Sequence, residues 1–311
     1  MEIEFLGTGA GLPSRQRNVS SLALKLLDEL NQVWLFDCGE ATQHQIIKTH
    51  IRPRKITHIF ITHLHGDHIF GLPGFLSSRS FQMAEAEPLR IYGPKGLKSY
   101  IESSIKYSKT NLLYPIEIYE LNDDGGMINL DQGWKVEYLP LEHGILCFGY
   151  RVMEPSIPGR LNMEKLKGLN IPNGPLLGEL KKGNAVELED GRQINGKDYL
   201  EKPRPGRIIT ILGDTRTTDN INRLAQNADV LVHEATHAKN EAKLARRYYH
   251  STSYQAAQIA QTNNVHLLLM NHISARYVGK DALLLENEAK QLFNNAKIVQ
   301  DFETYEIKMH D

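Results

Sequence analysis

An α/β sandwich, two β-sheets packed face to face with helices outside, is the fold this sequence predicts, and three observations predict it. Short apolar runs alternate with helical patterns from end to end. The first third leans towards strands in hairpins and helices interleave later, which argues against a single doubly wound sheet. Hydrophobic residues make up 41% and charged residues 23% of 311, ample material for a packed core in one domain spanning 1–311 with an appendage.

Strands are expected, in order, at Ile3–Leu6, Ser21–Leu26, Val33–Phe36, Ile56–Ile61, Leu89–Tyr92, Ile116–Leu121, Val136–Leu139, Phe148–Val152, Ile208–Leu212, Val230–His233, Leu267–Met270 and Ile298–Ile307. Helical periodicity predicts Thr42–His50, Ile69–Phe81, Gly96–Ser108, Asn220–Ala228, Glu241–Tyr249, Tyr254–Thr262 and Ala282–Asn294. The stretch from Pro155 to Arg207 fits neither pattern. It has little periodicity and much Gly and Pro, and loops of that length inside compact domains are usually functional or disordered. Between Gly159 and Gly183, Arg160, Lys165, Lys167, Lys181 and Lys182 face only Glu164 and Glu179. The segment 155–207 therefore reads as an inserted, protruding basic arm.

The chain carries 36 basic and 37 acidic residues, a formal charge of −1, so a nucleic acid would have to meet a local basic patch. Cys38 and Cys147, without CxxC spacing, exclude a disulfide framework and a cysteine zinc ribbon and read as buried, reduced core residues. The opening MEIEFLGTGAG is acidic where a signal peptide is basic, and no apolar run approaches 18 residues. A cytoplasmic protein with no membrane partner is expected.

The residues that carry chemistry begin at His63-Leu-His65-Gly-Asp67-His68, directly after the apolar strand KITHIFIT. His63 and His65 alternate at the strand's end, Gly66 permits a tight turn, and Asp67-His68 opens the next helix. Four fixed matches of this kind arise by chance in roughly two chains per thousand. Crowded without an ion, they would repel or desolvate badly. Neutral imidazoles and a carboxylate suit Zn²⁺ and similar divalent ions. His143 in PLEHG, Asp214 in GDT and His272 after HLLLM each follow a strand. A lone histidine is more often a hydrogen-bonded or surface residue. These three gain their meaning from the first cluster.

This set resembles the metallo-β-lactamase superfamily, whose signature is HxHxDH followed by separate His, Asp and His ligands. Within it the chain resembles ribonuclease Z in its short form, on HEAT at His233 to Thr236, HST at His250 to Thr252 and Ala275-Arg276 in HISARY. The resemblance runs from FLGTGAG to His272, and the glycine-proline insertion resembles the family's flexible tRNA-binding arm. It implies an αβ/βα sandwich of the metallo-β-lactamase type and an endoribonuclease that removes 3′ trailers from precursor tRNA, leaving a 3′-hydroxyl on the tRNA and a 5′-phosphate on the trailer. It implies two Zn²⁺ per subunit, or Mn²⁺ or another divalent ion, with a bridging hydroxide attacking phosphorus. His63, His65 and His143 would hold one ion, Asp67, His68 and His272 the other, and Asp214 would bridge them. Asp67 would also accept the water's proton, His250 oriented by Glu234 would act as general acid, and His233 would support from behind.

The family's P-x-K-x-R-N pattern reads here Pro13-Ser-Arg15-Gln-Arg17-Asn18, arginine standing where lysine is usual, which keeps the charge and changes the donor geometry. Arg15, Arg17, Asn18 and Arg276 would contact the tRNA end, Lys181 and Lys182 on the arm its folded body. A homodimer is implied. His44, His50, His58, His237, His266 and His310 read as structural or surface positions. Two other readings share part of these features. A small-ester or small-phosphodiester hydrolase on the same scaffold has no use for a basic arm. A non-catalytic RNA-binding zinc protein would be expected to close its metal site, usually with cysteine.

Overall fold

The computed structural model describes residues 1–81, 88–169, 171, 174–188 and 190–309; His310 lies outside them, as do 170, 172, 173 and 189 of the inserted segment. Among the described residues the chain forms two seven-stranded sheets. The first half contributes β1 (Glu2–Gly7), β2 (Ser21–Leu26), β3 (Gln32–Phe36), β4 (Ile56–Phe60), β5 (Leu89–Gly93) and β6 (Ile116–Glu120). The second contributes β7 (Gly126–Asn129), β8 (Lys135–Leu141), β9 (Cys147–Met153), the separate hairpin β10 (Ala185–Glu187) and β11 (Gln193–Asn195), then β12 (Ile208–Leu212), β13 (Val230–Glu234), β14 (Leu267–Asn271), β15 (Ala296–Ile298) and β16 (Thr304–Glu306). Sheet orders are β16-β1-β2-β3-β4-β5-β6 and β15-β14-β13-β12-β9-β8-β7.

Side chains that alternate along each strand build three layers of core. Phe5, Trp34, Phe36 and Phe60 meet Phe148, Tyr150, Val152 and Ile209 between the sheets. Ile59, Ile61 and Leu35 turn to the other face of the first sheet, against Ile46, Phe75, Leu76 and Ile101. Those residues belong to helices α1 (Thr42–Ile46), α3 (Leu72–Ser80) and α4 (Leu97–Ser108), with α2 (Gly66–Ile69) lying between α1 and α3 in the chain. On the far side Leu231, Leu268 and Met270 bury against Leu224, Ala256, Ala260 and Leu285. Covered on both faces, β4 is buried along its whole length, and so it reads as an unbroken apolar run.

The expected elements are present with five corrections. The strand expected over Ile298–Ile307 is two strands in different sheets: β15 runs parallel to β14, and β16 returns antiparallel to β1. Between them Phe302 takes a left-handed backbone conformation and Asp301 accepts hydrogen bonds from Thr8 Oγ1 and the Asn18 N–H (both 2.7 Å). Ile69–Phe81 breaks at Gly71, which packs against the carbonyl of Gly39, and the next helix restarts with Pro73 in its first turn. Thr42–His50 stops at Ile46, and Glu241–Tyr249 divides into a 3₁₀ turn and a short helix that ends before a left-handed Tyr249.

The segment from 155 to 207 is the fifth correction, since its described residues are largely regular. Pairings of Ile157 with Arg204 and Leu161 with Leu200 form an antiparallel stalk. At its tip α5 (Met163–Leu166), α6 (Pro175–Lys181) and the β10–β11 hairpin close over Leu166, Leu180 and Val186. At the root, buried Arg207 binds Glu154, Glu29 and the carbonyl of Ile307. The arm thus has a small core of its own and a clamped base.

The remaining helices are α7 (Asp219–Ala225), α8 (Ala242–Arg247), α9 (Ser253–Thr262) and α10 (Lys280–Lys290). Gly213 closes the centre of the fold: a Cβ there would lie 2.5 Å from Cys147 Sγ and 2.7 Å from Thr62 Cβ. This close approach brings the chain after β12 against the chain after β4. Gly213→Ala is expected to cost about 1–3 kcal/mol, as overpacking a filled core does, read as a lower urea midpoint with unchanged slope.

Candidate metal centre

Every expected ligand lies just beyond or at the end of a strand, on one edge of the sandwich. His63 and His65 follow β4, Asp67 and His68 occupy the first turn of α2, His143 follows β8, Asp214 follows β12 and His272 follows β14. Their donor atoms form overlapping groups: His63, His65 and His143; His63, His68 and Asp214; and Asp67, His68 and His272. Thus all seven predicted ligands come together.

Hydrogen bonding fixes which ring nitrogen each histidine presents. Asp37 Oδ2 lies 2.7 Å from His68 Nδ1 and accepts from Thr62 Oγ1 (2.9 Å), whose oxygen in turn lies 3.0 Å from His63 Nδ1. Thr62 has a single hydroxyl hydrogen and directs it at the carboxylate, so His63 Nδ1–H must donate to Thr62. The same arrangement recurs across the cleft. Glu234 Oε1 lies 2.9 Å from His250 Nδ1, and Oε2 accepts from Thr236 Oγ1 (2.6 Å), which lies 3.0 Å from His272 Nδ1. His143 Nδ1 donates to the Tyr249 carbonyl at 3.2 Å. With Nδ1 protonated, His63, His68, His143 and His272 all turn a bare Nε2 lone pair inward.

Those lone pairs cannot satisfy one another. His65 Nδ1 is 3.1 Å from both His63 Nε2 and His143 Nε2, and it has at most one proton to share between them. Buried His68 Nε2 has no hydrogen-bond partner among the described residues. Asp67 Oδ2 stands 3.4 Å from the Nε2 atoms of His68 and His272. Asp214 Oδ2 faces both groups, 3.2 Å from His272, 3.6 Å from His68, 3.8 Å from His63 and 4.0 Å from His143. Four-coordinate Zn–N bonds of ~2.0–2.1 Å place neighbouring nitrogens about 3.3 Å apart. The donor set and its spacing fit divalent cations. No thiolate joins it: burial drives the Cys38 thiol up to about 12, and Cys147 is likewise raised by burial.

The charges are sharply divided. Burial alone would neutralise Asp214, but His272, His68 and His63 hold it well below the usual carboxylate range. For Asp67 burial is likewise outweighed, by the imidazoles of His272 and His68 beside it, and its Oδ2 accepts the Gly11 N–H at 2.9 Å. Burial disfavours a charged His250, yet Glu234, then Asp214 and Asp67, lift it to about 9. At neutral pH it is an imidazolium at the rim of the cleft, its ring 5.3 Å from that of His143 and 5.5 Å from that of His272. Three residues of this arrangement, Asp37, Tyr249 and His272, have left-handed backbones without being glycine. Such strain, about 1–3 kcal/mol each, gathers at working sites.

The substrate-facing expectations divide. Arg15 and Arg276 are exposed, the latter paired with Glu241 at 3.0 Å. Arg17 is corrected: it is only 8% exposed and donates inward to Thr8 Oγ1 (2.7 Å) and the Val299 carbonyl (2.5 Å). Asn18 is engaged with the Glu40 carbonyl (2.8 Å) and Asp301. Both build the loop that carries Gly11 to Asp67. Lys181 and Lys182 lie exposed at the arm's tip, Lys182 paired with Glu179. His233 turns to the helix side of β13, where Nδ1 donates to the Glu234 carbonyl. Sequence reasoning missed Asp37, Thr62 and Thr236. The one signal for them was Asp37 at the end of β3, beside the end of parallel β4.

Known proteins share this chain's sequence and fold. A family profile described as "Anti-Pycsar protein Apyc1" matches residues 1–117, the part holding the His63–His68 turn. Ribonuclease Z of Limosilactobacillus fermentum is 58% identical over 307 residues, 99% of this chain and 98% of its own. That of Limosilactobacillus reuteri is 57% identical over 307 residues, 99% of each chain. The crystal structure of the short form of human tRNase Z covers 99% of this chain and 100% of its own, with a TM-score of 0.73 at 29% identity.

Asp37 touches no donor atom that faces the cleft, yet it orients two ligands. Asp37→Ala is expected to lower divalent-ion affinity about 10- to 100-fold, the usual effect of removing an outer hydrogen-bond partner. Competition titration against a chromogenic chelator measures it, and affinity within threefold of wild type would refute the assignment.

Proposed function

The chain belongs to the ribonuclease Z family and is a tRNA 3′-processing endoribonuclease, and from that premise we propose that it cuts precursor tRNA on a pair of divalent ions to release the 3′ trailer. The products would be a tRNA 3′-hydroxyl and a trailer 5′-phosphate. The observation that carries this reading is the 58% identity with ribonuclease Z over 99% of the chain. The convergence of seven donor side chains on one cleft supports it.

In this reading His63, His65 and His143 would hold one ion and Asp67, His68 and His272 the second, with the Asp214 carboxylate near both groups. An all-imidazole and carboxylate donor set suits Zn²⁺ or Mn²⁺. Ions so held would generate a nucleophile from water near neutral pH and offset charge at phosphorus. Asp67, steadied by the Gly11 N–H, accepts the proton that water gives up. His250, kept charged by Glu234, delivers a proton to the departing 3′-oxygen, which would otherwise leave as an alkoxide. Glu234 accepts the Thr215 and Ser251 N–H groups (2.8 and 3.1 Å) as well, so His250 points at the cleft from a carboxylate that cannot turn.

Arg15 and Arg276 at the cleft and Lys181 and Lys182 on the arm contact the tRNA backbone, which positions the scissile bond. We also assign a homodimer. Ile47, Phe70 and Phe81, at the C-terminal ends of α1, α2 and α3, are 71%, 64% and 86% exposed, and large apolar side chains so exposed suit a subunit interface. Phe70 packs back on Gly66 of the metal turn, so a partner seated on this face would lie close to the cleft. A precursor tRNA substrate is in keeping with a cytoplasmic location. Among the described residues no helix is long and apolar enough to cross a membrane.

Incubation with a 3′-extended precursor tRNA tests the reading. One cut at the trailer junction is expected, abolished by chelator and restored by added Zn²⁺ or Mn²⁺, and His250→Ala is expected to slow it about 10²- to 10⁴-fold. Cleavage indifferent to chelation would exclude the mechanism. Because the arm folds on a closed stalk, residues 162–199 can be excised by joining Leu161 to Leu200. Affinity for tRNA should then fall and its salt dependence flatten, while turnover of bis(p-nitrophenyl) phosphate changes far less. Equal losses on both substrates would remove the arm from tRNA binding.

A further inference from the structure

A cavity of about 620 Å³ opens beside His250, away from the seven donor side chains. Its walls include Glu142, Arg216, Lys243, Arg246 and Gln255. Arg216 pairs with Glu142 and lies over the ring of Tyr249 at 4.6 Å, so its position is fixed by the same residue whose carbonyl orients His143. Lys243 and Arg246 lie one helical turn apart on α8, exposed, and form no ion pair among the described residues. Three cations thus face one carboxylate that is already engaged. Cations left unpaired around a concave site are suited to a phosphate, for which guanidinium groups offer forked donors.

The position of His250 says which phosphate. It protonates the oxygen that leaves, and that oxygen belongs to the last nucleoside retained on the tRNA. The scissile phosphate lies over the metal ligands, so the next anion on the His250 side is the phosphate 5′ to that nucleoside. We propose that Arg216, Lys243 and Arg246 form a subsite for the backbone phosphate one step upstream of the cut, holding the 3′-terminal nucleoside of the tRNA with its 3′-oxygen against His250. The inference rests on the ribonuclease Z reading and adds a site to it. None of the three cations stands out in the sequence, where they are scattered among ordinary surface charges.

The test uses precursor tRNA with one uncharged methylphosphonate linkage, placed either at that upstream phosphate or at the first phosphate inside the trailer. Single-turnover cleavage by the full chain and by Lys243→Ala/Arg246→Ala is compared. Both substituted positions are exposed and unpaired, so the fold should persist, and circular dichroism checks it. The variant and the upstream neutral linkage should each slow cleavage on the order of tenfold. Together they should slow it no further, because both remove the same interaction. With the trailer-side linkage the two effects should multiply. The variant's rate should also fall less steeply with salt, by about 0.7 in log–log slope, since it neutralises one phosphate fewer. Multiplying effects at the upstream linkage, or shared effects at the trailer-side one, would overturn the subsite. If wild type fails to cut unmodified precursor tRNA, the ribonuclease reading fails and the subsite with it, a result distinct from either pattern.

Discussion

Two buried carboxylates, Asp37 and Glu234, hold the site together. Each binds one imidazole directly and a second through a threonine hydroxyl: Asp37 takes His68 and, through Thr62, His63, while Glu234 takes His250 and, through Thr236, His272. A carboxylate 7% or 1% exposed is costly unless fully hydrogen-bonded, and both are. The consequence is chemical. With an acceptor behind Nδ1 of His63, His68 and His272, and the Tyr249 carbonyl behind that of His143, each of these four rings from three segments turns its Nε2 lone pair to one small volume, while His250 faces it as a donor. Left without cations, that volume would hold converging lone pairs and two more carboxylates. The stability of the metal-ligating geometry and the affinity for cations therefore come from the same hydrogen bonds.

The sandwich makes this possible by placing strand ends side by side. Parallel β3 and β4 deliver Asp37 next to Thr62 and His63, and parallel β12, β13 and β14 deliver Asp214, Glu234 and His272. Parallel pairing matters, since neighbouring parallel strands end on the same edge and an antiparallel neighbour would carry its equivalent residue to the opposite one. The edge is then closed from outside the sheets. Arg17 and Asp301 hold the loop that brings Gly11 to Asp67, and the crossing from β15 to β16 brings Asp301 there. Left-handed backbones at Asp37, Tyr249 and His272 are the places where this closure bends the chain against its preference.

Much of this was legible in the sequence, and the reasons for success and failure are physical. The six-residue run from His63 to His68 needs no partner to be recognised, because its chemistry is local. His143, Asp214 and His272 are recognisable only with it, since each alone is an ordinary residue at a strand end. Asp37 escaped because FDCGE carries no pattern, and its meaning depends on which strand lies beside β3. Arg17 reads as a phosphate ligand because it matches the family's P-x-K-x-R-N loop pattern, but burial of its guanidinium against Thr8 and Val299 involves residues 9 and 282 positions away. The tail misled in the opposite sense: Ile298–Ile307 has the composition of one strand, and it is broken by the turn at Asp301 and left-handed Phe302, pinned to Thr8 and Asn18. In the arm, short elements over a three-residue core fall below the length at which periodicity becomes visible.

A formal charge of −1 describes the chain alone, and it misstates what a polyanion would meet. Asp37, Asp67, Asp214 and Glu234 are acids of that count; Asp67 and Asp214 line the cleft and Asp37 and Glu234 stand behind its histidines, where two divalent ions would offset their combined charge. His250, counted as neutral, is charged at neutral pH under the influence of Glu234. Beside it, the cavity lined by Arg216, Lys243 and Arg246 is then cationic next to a neutralised floor. Concavity concentrates that field, because low-dielectric walls screen it less than open water does. Overall composition thus placed no requirement on the substrate, while the placement of a few acids inside and a few bases outside makes a nearly neutral protein fit for a nucleic-acid backbone.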